Sequence, residues 1–362
     1  MSHPFLTLLT FSFPEKTLSF SYAKPFPLRH CVVSETEKKK RKVWSLYMEN
    51  IVEIKNLVKR YKDLLAVDHL NLKIQEGEIL GLLGPNGSGK TTTLNCLMAL
   101  LTYNKGEVRV FGKPMTPESY ELKKNIGVVL QNVAVFETLT VYENIDFFCG
   151  LYIKDSKLRK QYVEDAIHFV ELDEFRKFYP RKLSGGLLRR LNIACGIAHK
   201  PKLIILDEPT VAVDPQSRNK ILEGIQELNR KGATIIYTSH YMEEVEQICS
   251  RIVILDKGRN IAEGTAGELK MMIKNSETIL IEAPELSEEI LAGIRSLHHI
   301  YSVKYQEKQL TIKCNGGSHN LIHVMNYLQE KGIDFGRVRS ELPTLNDVFL
   351  EITGKALRDD NL

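Results

Sequence analysis

One octapeptide constrains the fold of this 362-residue chain more than any other feature: Gly84-Pro-Asn-Gly-Ser-Gly-Lys-Thr91. Its glycines let the backbone turn tightly and point consecutive N–H groups at an anion, and the terminal Lys and Thr supply an ammonium and a hydroxyl. An apolar run precedes it at 78–83, and a segment with helical spacing follows at 91–101. A strand, a loop and a helix in this order place a helix N-terminus at the anion. We therefore expect an α/β fold that holds a nucleotide.

This loop supplies most of the predicted nucleotide contacts. Lys90 is expected to reach the β- and γ-phosphates, and the Thr91 hydroxyl to ligate Mg²⁺. The loop residues expected to contact ATP are Gly84, Pro85, Asn86, Gly87, Ser88, Gly89, Lys90, Thr91 and Thr92.

Composition limits the class of protein that this chain can be. The chain is 43% hydrophobic and 26% charged, which is ordinary for one or two globular domains. It has no run of 18 apolar residues, so we expect no membrane span. Its six cysteines form no C-x-x-C pair, which favours reduced thiols in a cytosolic protein over a zinc site or a disulfide framework.

The net charge of +4 is unevenly distributed. Residues 1–47 carry eight Lys/Arg and three Glu, a balance of +5, so the rest of the chain carries −1. A neutral body gives no electrostatic reason to expect a nucleic-acid partner.

The first 47 residues show no helical or strand period and end near a basic run at 38–42. Three interpretations stay open: a nuclear-import signal, a secretory signal, and a disordered or non-native leader ahead of a start at Met48. No basic segment precedes the short apolar run at 5–9, which argues against a secretory signal. Patterned sequence begins at Ile51, so we favour the leader.

A second motif ends in paired acids, at Pro201-Lys-Leu-Ile-Ile-Leu-Asp-Glu208. The apolar run is typical of a buried parallel strand, whose carboxyl end lies at the ligand crevice of an α/β sheet. We expect Asp207 to hold the Mg²⁺ shell and Glu208 to polarise the attacking water as general base. Alone, the run could be a strand that ends in a polar turn, but the phosphate loop upstream strengthens the catalytic interpretation.

A third motif, Leu183-Ser-Gly-Gly-Leu-Leu-Arg-Arg190, begins a predicted helix that runs to Ile197. By itself it could be an ordinary helix N-cap. However, its exposed N–H groups form a second anion-binding helix end, and one subunit does not need two for one ATP. With these three motifs in this order, over about residues 50–270, the chain resembles an ATP-binding-cassette (ABC) ATPase.

The resemblance implies a composite ATP site. In this family Ser184, Gly185 and Gly186 would cap the γ-phosphate of the ATP that the partner subunit holds, in a head-to-tail dimer. Tyr61 would stack on adenine, and Gln131 would reach Mg²⁺ and the attacking water. His240 would contact the γ-phosphate.

Two positions depart from the family pattern. Leu187 stands where the motif usually has Gln, and Ala212 stands where Gly usually precedes Val213. The intact Glu208 and His240 favour an active ATPase. The residues expected to act in catalysis are Glu208, His240, Gln131 and Lys90, and those expected to hold the metal are Thr91, Gln131 and Asp207.

Two further regions complete the predicted architecture. The resemblance implies that a helical subdomain at about 136–180 offers a groove to a membrane partner. The candidate lining, which would equally suit plain core, is Phe136, Leu139, Tyr142, Phe147, Phe148 and Tyr152. After Gly264 the pattern reads β-α-β-β-α-β, compatible with a small ferredoxin-like domain at 275–356. Its last segment, 342–354, resembles the tail of drug- and antibiotic-exporting cassettes.

The predicted fold class is therefore α/β: a P-loop NTPase of the ABC type at 48–270, with a parallel-sheet core, an antiparallel β subdomain and a helical subdomain, plus a small α+β C-terminal domain. The resemblance implies an ATP-hydrolysing, Mg²⁺-dependent transporter subunit on the cytoplasmic face of the membrane. Its expected partners are a separate permease of about six spans and a second copy or a related cassette. Two alternatives stay open: a soluble ABC ATPase that acts on ribosomes or nucleic acid, and an importer ATPase.

Overall fold

The structure is a computed structural model that describes residues 50–273, 277–317 and 319–354; the predicted leader at 1–47 lies outside this range. The strands are β1 (Asn50–Tyr61), β2 (Leu64–Gln75), β3 (Ile79–Leu83), β4 (Lys105–Val110), β5 (Lys113–Pro114), β6 (Ile126–Val129), β7 (Leu203–Asp207), β8 (Thr234–Thr238), β9 (Arg251–Asp256), β10 (Arg259–Gly264), β11 (Glu277–Glu282), β12 (Ile300–Gln306), β13 (Gln309–Cys314) and β14 (Val338–Glu341).

The helices are α1 (Lys90–Leu97), α2 (Tyr120–Lys123), α3 (Val141–Gly150), α4 (Ser156–Phe169), α5 (Gly185–Ile197), α6 (Pro215–Arg230), α7 (Met242–Ile248), α8 (Ala266–Lys270), α9 (Glu288–Arg295), α10 (Asn320–Glu330) and α11 (Leu345–Thr353). Among the helices within the described ranges, none is long and apolar enough to cross a bilayer.

The central sheet has the order β10-β9-β3-β8-β7-β6, and its strands are parallel except for β10, which pairs antiparallel with β9. All residues of β3, β7 and β8 are buried, as expected for strands covered on both faces. Because β3 and β7 are separated only by β8, the phosphate loop after β3 and the paired acids after β7 emerge at the same edge of the sheet.

A second sheet, with the order β2-β1-β4-β5, is antiparallel throughout. Alternate residues of β2 are buried, so one face of this sheet packs inward and the other meets solvent. One continuous apolar cluster joins this sheet to α1 and to the central sheet, and it includes Leu70, Leu80 and Leu97.

Helices α3, α4 and α5 contact one another around a separate apolar cluster. Thr140 caps α3 in a capping box with Glu143, and Asp155 caps α4 through the main-chain N–H of Leu158. The helices of this part of the chain therefore begin where local sequence provides a cap.

Residues 277–341 form a four-stranded antiparallel sheet with the order β12-β13-β11-β14. Along the chain, helix α9 follows β11 and helix α10 follows β13. The apolar residues of both helices share one cluster with the sheet. The last helix, α11, behaves differently: Leu345, Val348 and Phe349 belong to the apolar cluster of the central sheet. This arrangement is the small α+β part that the fold class predicts.

One predicted boundary is wrong. The apolar spacing at 91–101 predicts a helix to Leu101, but α1 ends at Leu97. Ala99 has φ 54°, a left-handed torsion that stops an α-helix, and Leu100 is exposed. Periodicity alone did not reveal this stop because neither residue is a typical helix breaker.

Candidate functional site

The phosphate loop connects β3 to α1 in a conformation that requires glycine at two positions. Gly89 has φ 100°, and a Cβ there would lie 2.5 Å from the main-chain oxygen of Ala66. At Gly84 a Cβ would lie 2.4 Å from the main-chain oxygen of Leu255. The Ser88 hydroxyl is buried and has no hydrogen-bond partner among the described residues. The loop therefore carries a polar group that a phosphate oxygen could satisfy.

Lys90, the first residue of α1, folds back over this loop. Its ammonium donates to the main-chain oxygens of Gly84 at 2.7 Å and Pro85 at 3.2 Å. Burial lowers the pKa of Lys90, while the carboxylates of Glu208 and Asp207 oppose that shift. The ammonium is thus held at the mouth of the loop, close enough to two carboxylates for their charges to act on it.

Asp207 ends β7 beside the hydroxyl of Thr91. Its Oδ2 accepts from Thr91 Oγ1 at 3.3 Å, and its Oδ1 accepts from Thr238 Oγ1 at 2.6 Å. One hydroxyl and one carboxylate at this spacing fit Mg²⁺, which usually takes one or two protein oxygens and fills its octahedron with phosphate oxygens and water. Thr91 and Asp207 are therefore a chemically suitable Mg²⁺ pair.

Glu208 follows directly and has φ 47°, a left-handed torsion that is uncommon outside glycine. Its carboxylate accepts from Gln131 Nε2 at 3.0 Å and lies 3.6 Å from Nδ1 of His240. The His240 imidazole is the largest cause of the lowered pKa of Glu208, and the cations of Lys90 and Arg189 lower that pKa further. Burial acts in the opposite direction. The carboxylate is thus ionised near neutral pH and can accept a hydrogen bond from water.

The elements on either side explain how these groups meet. Gln131 lies just after β6, the neighbour of β7, and His240 lies just after β8, on the other side of β7. Since the carboxyl ends of parallel strands share one edge, three consecutive strands deliver Gln131, Glu208 and His240 to one place. The structure therefore brings together Lys90, Thr91, Gln131, Asp207, Glu208 and His240.

The Ser-Gly-Gly segment lies elsewhere. Ser184 is exposed and caps α5, accepting from the main-chain N–H of Leu187 at 3.3 Å. A Cβ at Gly186 would lie 2.5 Å from Ser217 Oγ and 3.2 Å from Asp214 Oδ2, so this helix end packs against the start of α6. Within the described ranges, no hydrogen bond or ion pair joins Ser184 to the phosphate loop. Ser184 and Gly185 are exposed, so this part of the helix end is accessible.

The remaining predicted residues have clear surroundings. Tyr61 ends β1, is 40% exposed and has the ammonium of Lys59 at 4.7 Å from its ring centroid. Leu187 is half-buried and packs against the apolar cluster of α3, α4 and α5. An apolar side chain is therefore favourable at this position. Ala212 has φ 58°, so the methyl group stands in a conformation that glycine adopts more readily.

Sequence reasoning missed two residues of this site. Thr238 pairs in register with Asp207 across β7 and β8, and its hydroxyl binds both Asp207 and the main-chain N–H of Glu208. Arg189, in α5, donates to the main-chain oxygen of Glu208. Thr238 could have been found because it ends the strand that leads to His240. Arg189 carries no such signal, since its partners are main-chain atoms distant in sequence.

Comparisons with known proteins agree with this geometry. The family model for ABC transporters matches residues 67–211. A linearmycin resistance ATP-binding protein of Bacillus subtilis (strain 168) is 38% identical over 312 residues, covering 85% of this chain and 100% of that protein. A Nod factor export ATP-binding protein of Burkholderia orbicola (strain AU 1054) is 31% identical over 315 residues, covering 85% and 98%.

Among solved structures, a dimeric post-hydrolysis state of an ATP-binding cassette bound to ADP and phosphate is 30% identical, with a TM-score of 0.55, covering 59% of this chain and 98% of that one. This chain therefore belongs to the ABC transporter family. It is an ATP-binding subunit of the exporter type and an ATP hydrolase, as the sequence predicted.

Proposed function

We propose that this chain is the motor of an exporter, in which ATP binding closes two cassettes and hydrolysis reopens them, moving a separate membrane permease. The observation that carries the proposal is the convergence of Lys90, Gln131, Glu208 and His240 at one sheet edge, while Ser184 is an exposed N-cap of α5. One relative is named for resistance to linearmycin and another for Nod factor export, which favours export over import.

Each residue of the site has a role in this proposal. The phosphate loop and Lys90 bind the triphosphate, and Tyr61 stacks on adenine. Thr91, Asp207 and Gln131 hold Mg²⁺, which supplies Lewis-acid charge stabilisation to the phosphates when bound. The Glu208 carboxylate accepts a proton from the attacking water, and His240 donates to the γ-phosphate while it holds Glu208.

The partner subunit completes the site in this proposal. Ser184 caps the N-terminus of α5, where Ser184 and Gly185 are exposed and Gly186 is buried. A helix N-terminus attracts phosphate, so this end of α5 suits the γ-phosphate of a nucleotide held by the partner. The dimeric relative with ADP and phosphate supports this arrangement, because that cassette assembles as a pair. A second copy of this chain or a related cassette would supply the opposite helix end.

The predicted domain plan belongs to the same proposal: an ATPase domain at 48–270, a helical subdomain at about 136–180 and an accessory domain at 275–356. The motor would lie peripherally, on the cytoplasmic face of the membrane.

We propose that a permease of about six spans docks on the helical subdomain. Phe136, Phe147 and Phe148 form an aromatic cluster with ring centroids 5.0–5.9 Å apart, and the first two are 45% and 44% exposed. Tyr142 packs instead on the apolar cluster of this region, and Tyr152 stacks on His199 at 4.1 Å. The exposed aromatic pair therefore suits an apolar partner helix. Phe147→Asp should abolish co-purification with a membrane protein from source cells; unchanged co-purification would contradict this docking surface.

The Glu208→Gln variant tests the motor directly. Glutamine keeps the size of the side chain but cannot accept a proton, so we expect turnover to fall at least about 100-fold while ATP still binds. ATP with Mg²⁺ should then trap a stable dimer, which light scattering coupled to gel filtration detects as a doubled mass.

Glu243→Gln is the matched control, because Glu243 is exposed on the first turn of α7 and, among the described residues, has no hydrogen bond or ion pair to the site. It should hydrolyse ATP at the wild-type rate and form no lasting dimer. Normal turnover in Glu208→Gln would rule out the proposed role of Glu208.

A further inference from the structure

Arg189 is a buried cation, 4% exposed, on the helix that begins at the Ser-Gly-Gly segment. Its Nη1 donates to the main-chain oxygen of Leu130 at 3.1 Å, and its Nη2 donates to the main-chain oxygen of Glu208 at 3.1 Å. Burying a guanidinium is costly unless its donors are satisfied. Here the two arms of one planar group reach two carbonyls that directly follow the neighbouring strands β6 and β7, a task suited to the rigid fork of arginine.

Both carbonyls lie beside residues of the proposed chemistry. Leu130 immediately precedes Gln131, and Glu208 is the proposed general base. Asn192, one turn farther along α5, accepts from the main-chain N–H of Ala134 at 3.1 Å and donates to Leu130 at 3.4 Å. The segment that carries Gln131 is therefore fastened to α5 at both ends.

The backbone of Glu208 needs such support. Its φ of 47° is a torsion that a non-glycine residue keeps only where the surroundings hold it. On one side its N–H donates to Thr238, at 3.2 Å to the main-chain oxygen and 3.0 Å to Oγ1. On the other side its C=O accepts from Arg189, and from the N–H of Val211 only at 3.4 Å. Of the two hydrogen bonds to the carbonyl of Glu208, the one from Arg189 is the shorter.

We propose that Arg189 is a positioning residue for hydrolysis: it ties the helix capped by Ser184 to the main-chain oxygens of Glu208 and of Leu130, the residue before Gln131. The orientation of α5 thereby affects the positions of Glu208 and Gln131, the two residues that act on the attacking water. This inference rests on the proposed role of Glu208 and extends it to a residue that contacts neither ATP nor Mg²⁺.

Steady-state ATP hydrolysis by Arg189→Met and Arg189→Lys tests this inference. Methionine fills the space without donors, so kcat should fall about 10- to 100-fold, the cost of a small misplacement of catalytic groups. The KM for ATP and the Kd measured by calorimetry should change by no more than about twofold, because the phosphate loop is untouched. Lysine can reach one carbonyl at a time and should recover part of kcat.

Arg190→Met is the matched control on the same helix. Arg190 donates to the main-chain oxygen of Val170 at 2.9 Å and pairs with Glu171 at 3.3 Å, away from the strand ends. We expect it to keep the wild-type kcat, even where its Tm falls. Equal kcat in Arg189→Met and Arg190→Met, with Glu208→Gln inactive, would overturn the inference and leave the proposed function standing.

The remaining outcomes are also decisive. Wild-type turnover in Glu208→Gln would reject the proposed role of Glu208, on which this inference rests, whatever Arg189→Met does. If Arg189→Met does not fold, a folded Arg189→Lys decides the matter: wild-type kcat overturns the inference, and a reduced kcat with unchanged ATP binding supports it.

Discussion

At the scale of single residues, two left-handed torsions lie close together in the loop after β7. Glu208 has φ 47° and Ala212 has φ 58°. Glu208 is held by Thr238 and Arg189, so its torsion serves to aim the carboxylate. Within the part of the chain that the structure describes, no comparable pair of hydrogen bonds holds Ala212, and its methyl group adds strain that glycine would not have. The sequence shows Ala212 where the family pattern usually has glycine. It does not predict the torsion of Ala212, which depends on how the loop leaves the sheet.

Ala212→Gly should therefore stabilise the protein. Relief of the left-handed strain should raise the free energy of unfolding, and the conformational entropy that glycine adds to the unfolded chain should offset part of this gain. The net increase should be no more than about 1 kcal/mol. Urea denaturation measures the change. Ala292→Gly is the control of opposite sign: Ala292 is exposed inside α9, where glycine should lower stability by about 1 kcal/mol. A loss of stability in Ala212→Gly would contradict the strain argument.

At the scale of elements, local sequence predicted most of what positions the site. The apolar run of β3 leads into the phosphate loop, the apolar run of β7 ends at Asp207, and the N-cap of α5 is the predicted Ser184. Spacing failed at α1, where Ala99 ends the helix early. Contacts between elements were also beyond sequence reasoning, because periodicity reports which face of an element is buried and not which partner covers it.

A buried glutamate shows such a contact between elements. Glu244 in α7 is 3% exposed, and its Oε2 accepts from Tyr237 Oη at 2.7 Å, Thr210 Oγ1 at 2.8 Å and Ser239 Oγ at 2.9 Å. Its Oε1 lies 3.3 Å from Nε of Arg218. One carboxylate thus joins β8, α6, α7 and the loops that contain Glu208 and His240.

Glu244→Ala should cost about 3–5 kcal/mol in the free energy of unfolding, because it leaves Arg218 and three hydroxyl groups without their buried acceptor. Glu243→Ala, one residue earlier and exposed, should change stability by less than about 0.5 kcal/mol. Urea unfolding of the two variants gives the comparison. Similar losses in both would mean that the buried carboxylate contributes no more than a surface one.

At the scale of the whole molecule, the last helix ties the C-terminal residues to the cassette. Leu345, Val348 and Phe349 are buried in the apolar cluster that also contains Leu83 and Tyr237 of the central sheet. The sequence relates this segment to the tail of drug- and antibiotic-exporting cassettes only by resemblance, and it does not predict what the segment packs against. The shared core makes this helix part of the packing of the ATPase fold.

Phe349→Ala should therefore destabilise the molecule by about 3–5 kcal/mol, the usual cost of emptying a fully buried aromatic site. Leu350→Ala is the neighbouring control; Leu350 is 38% exposed, so its truncation should cost less than about 1 kcal/mol. Thermal unfolding followed by circular dichroism distinguishes them. If both variants melt alike, α11 does not contribute to the core as its burial indicates.

The central claim is that each ATP site is built from two chains, and mixing two defective variants tests it most directly. Lys90→Met damages the phosphate loop, and Ser184→Arg damages the opposite helix end, so each alone should be nearly inactive. In a mixed dimer one site combines the two intact halves. An equal mixture should therefore regain about a quarter of the wild-type ATPase rate, since half the dimers are mixed and each has one working site. A mixture no more active than the mean of its two components would contradict the composite site.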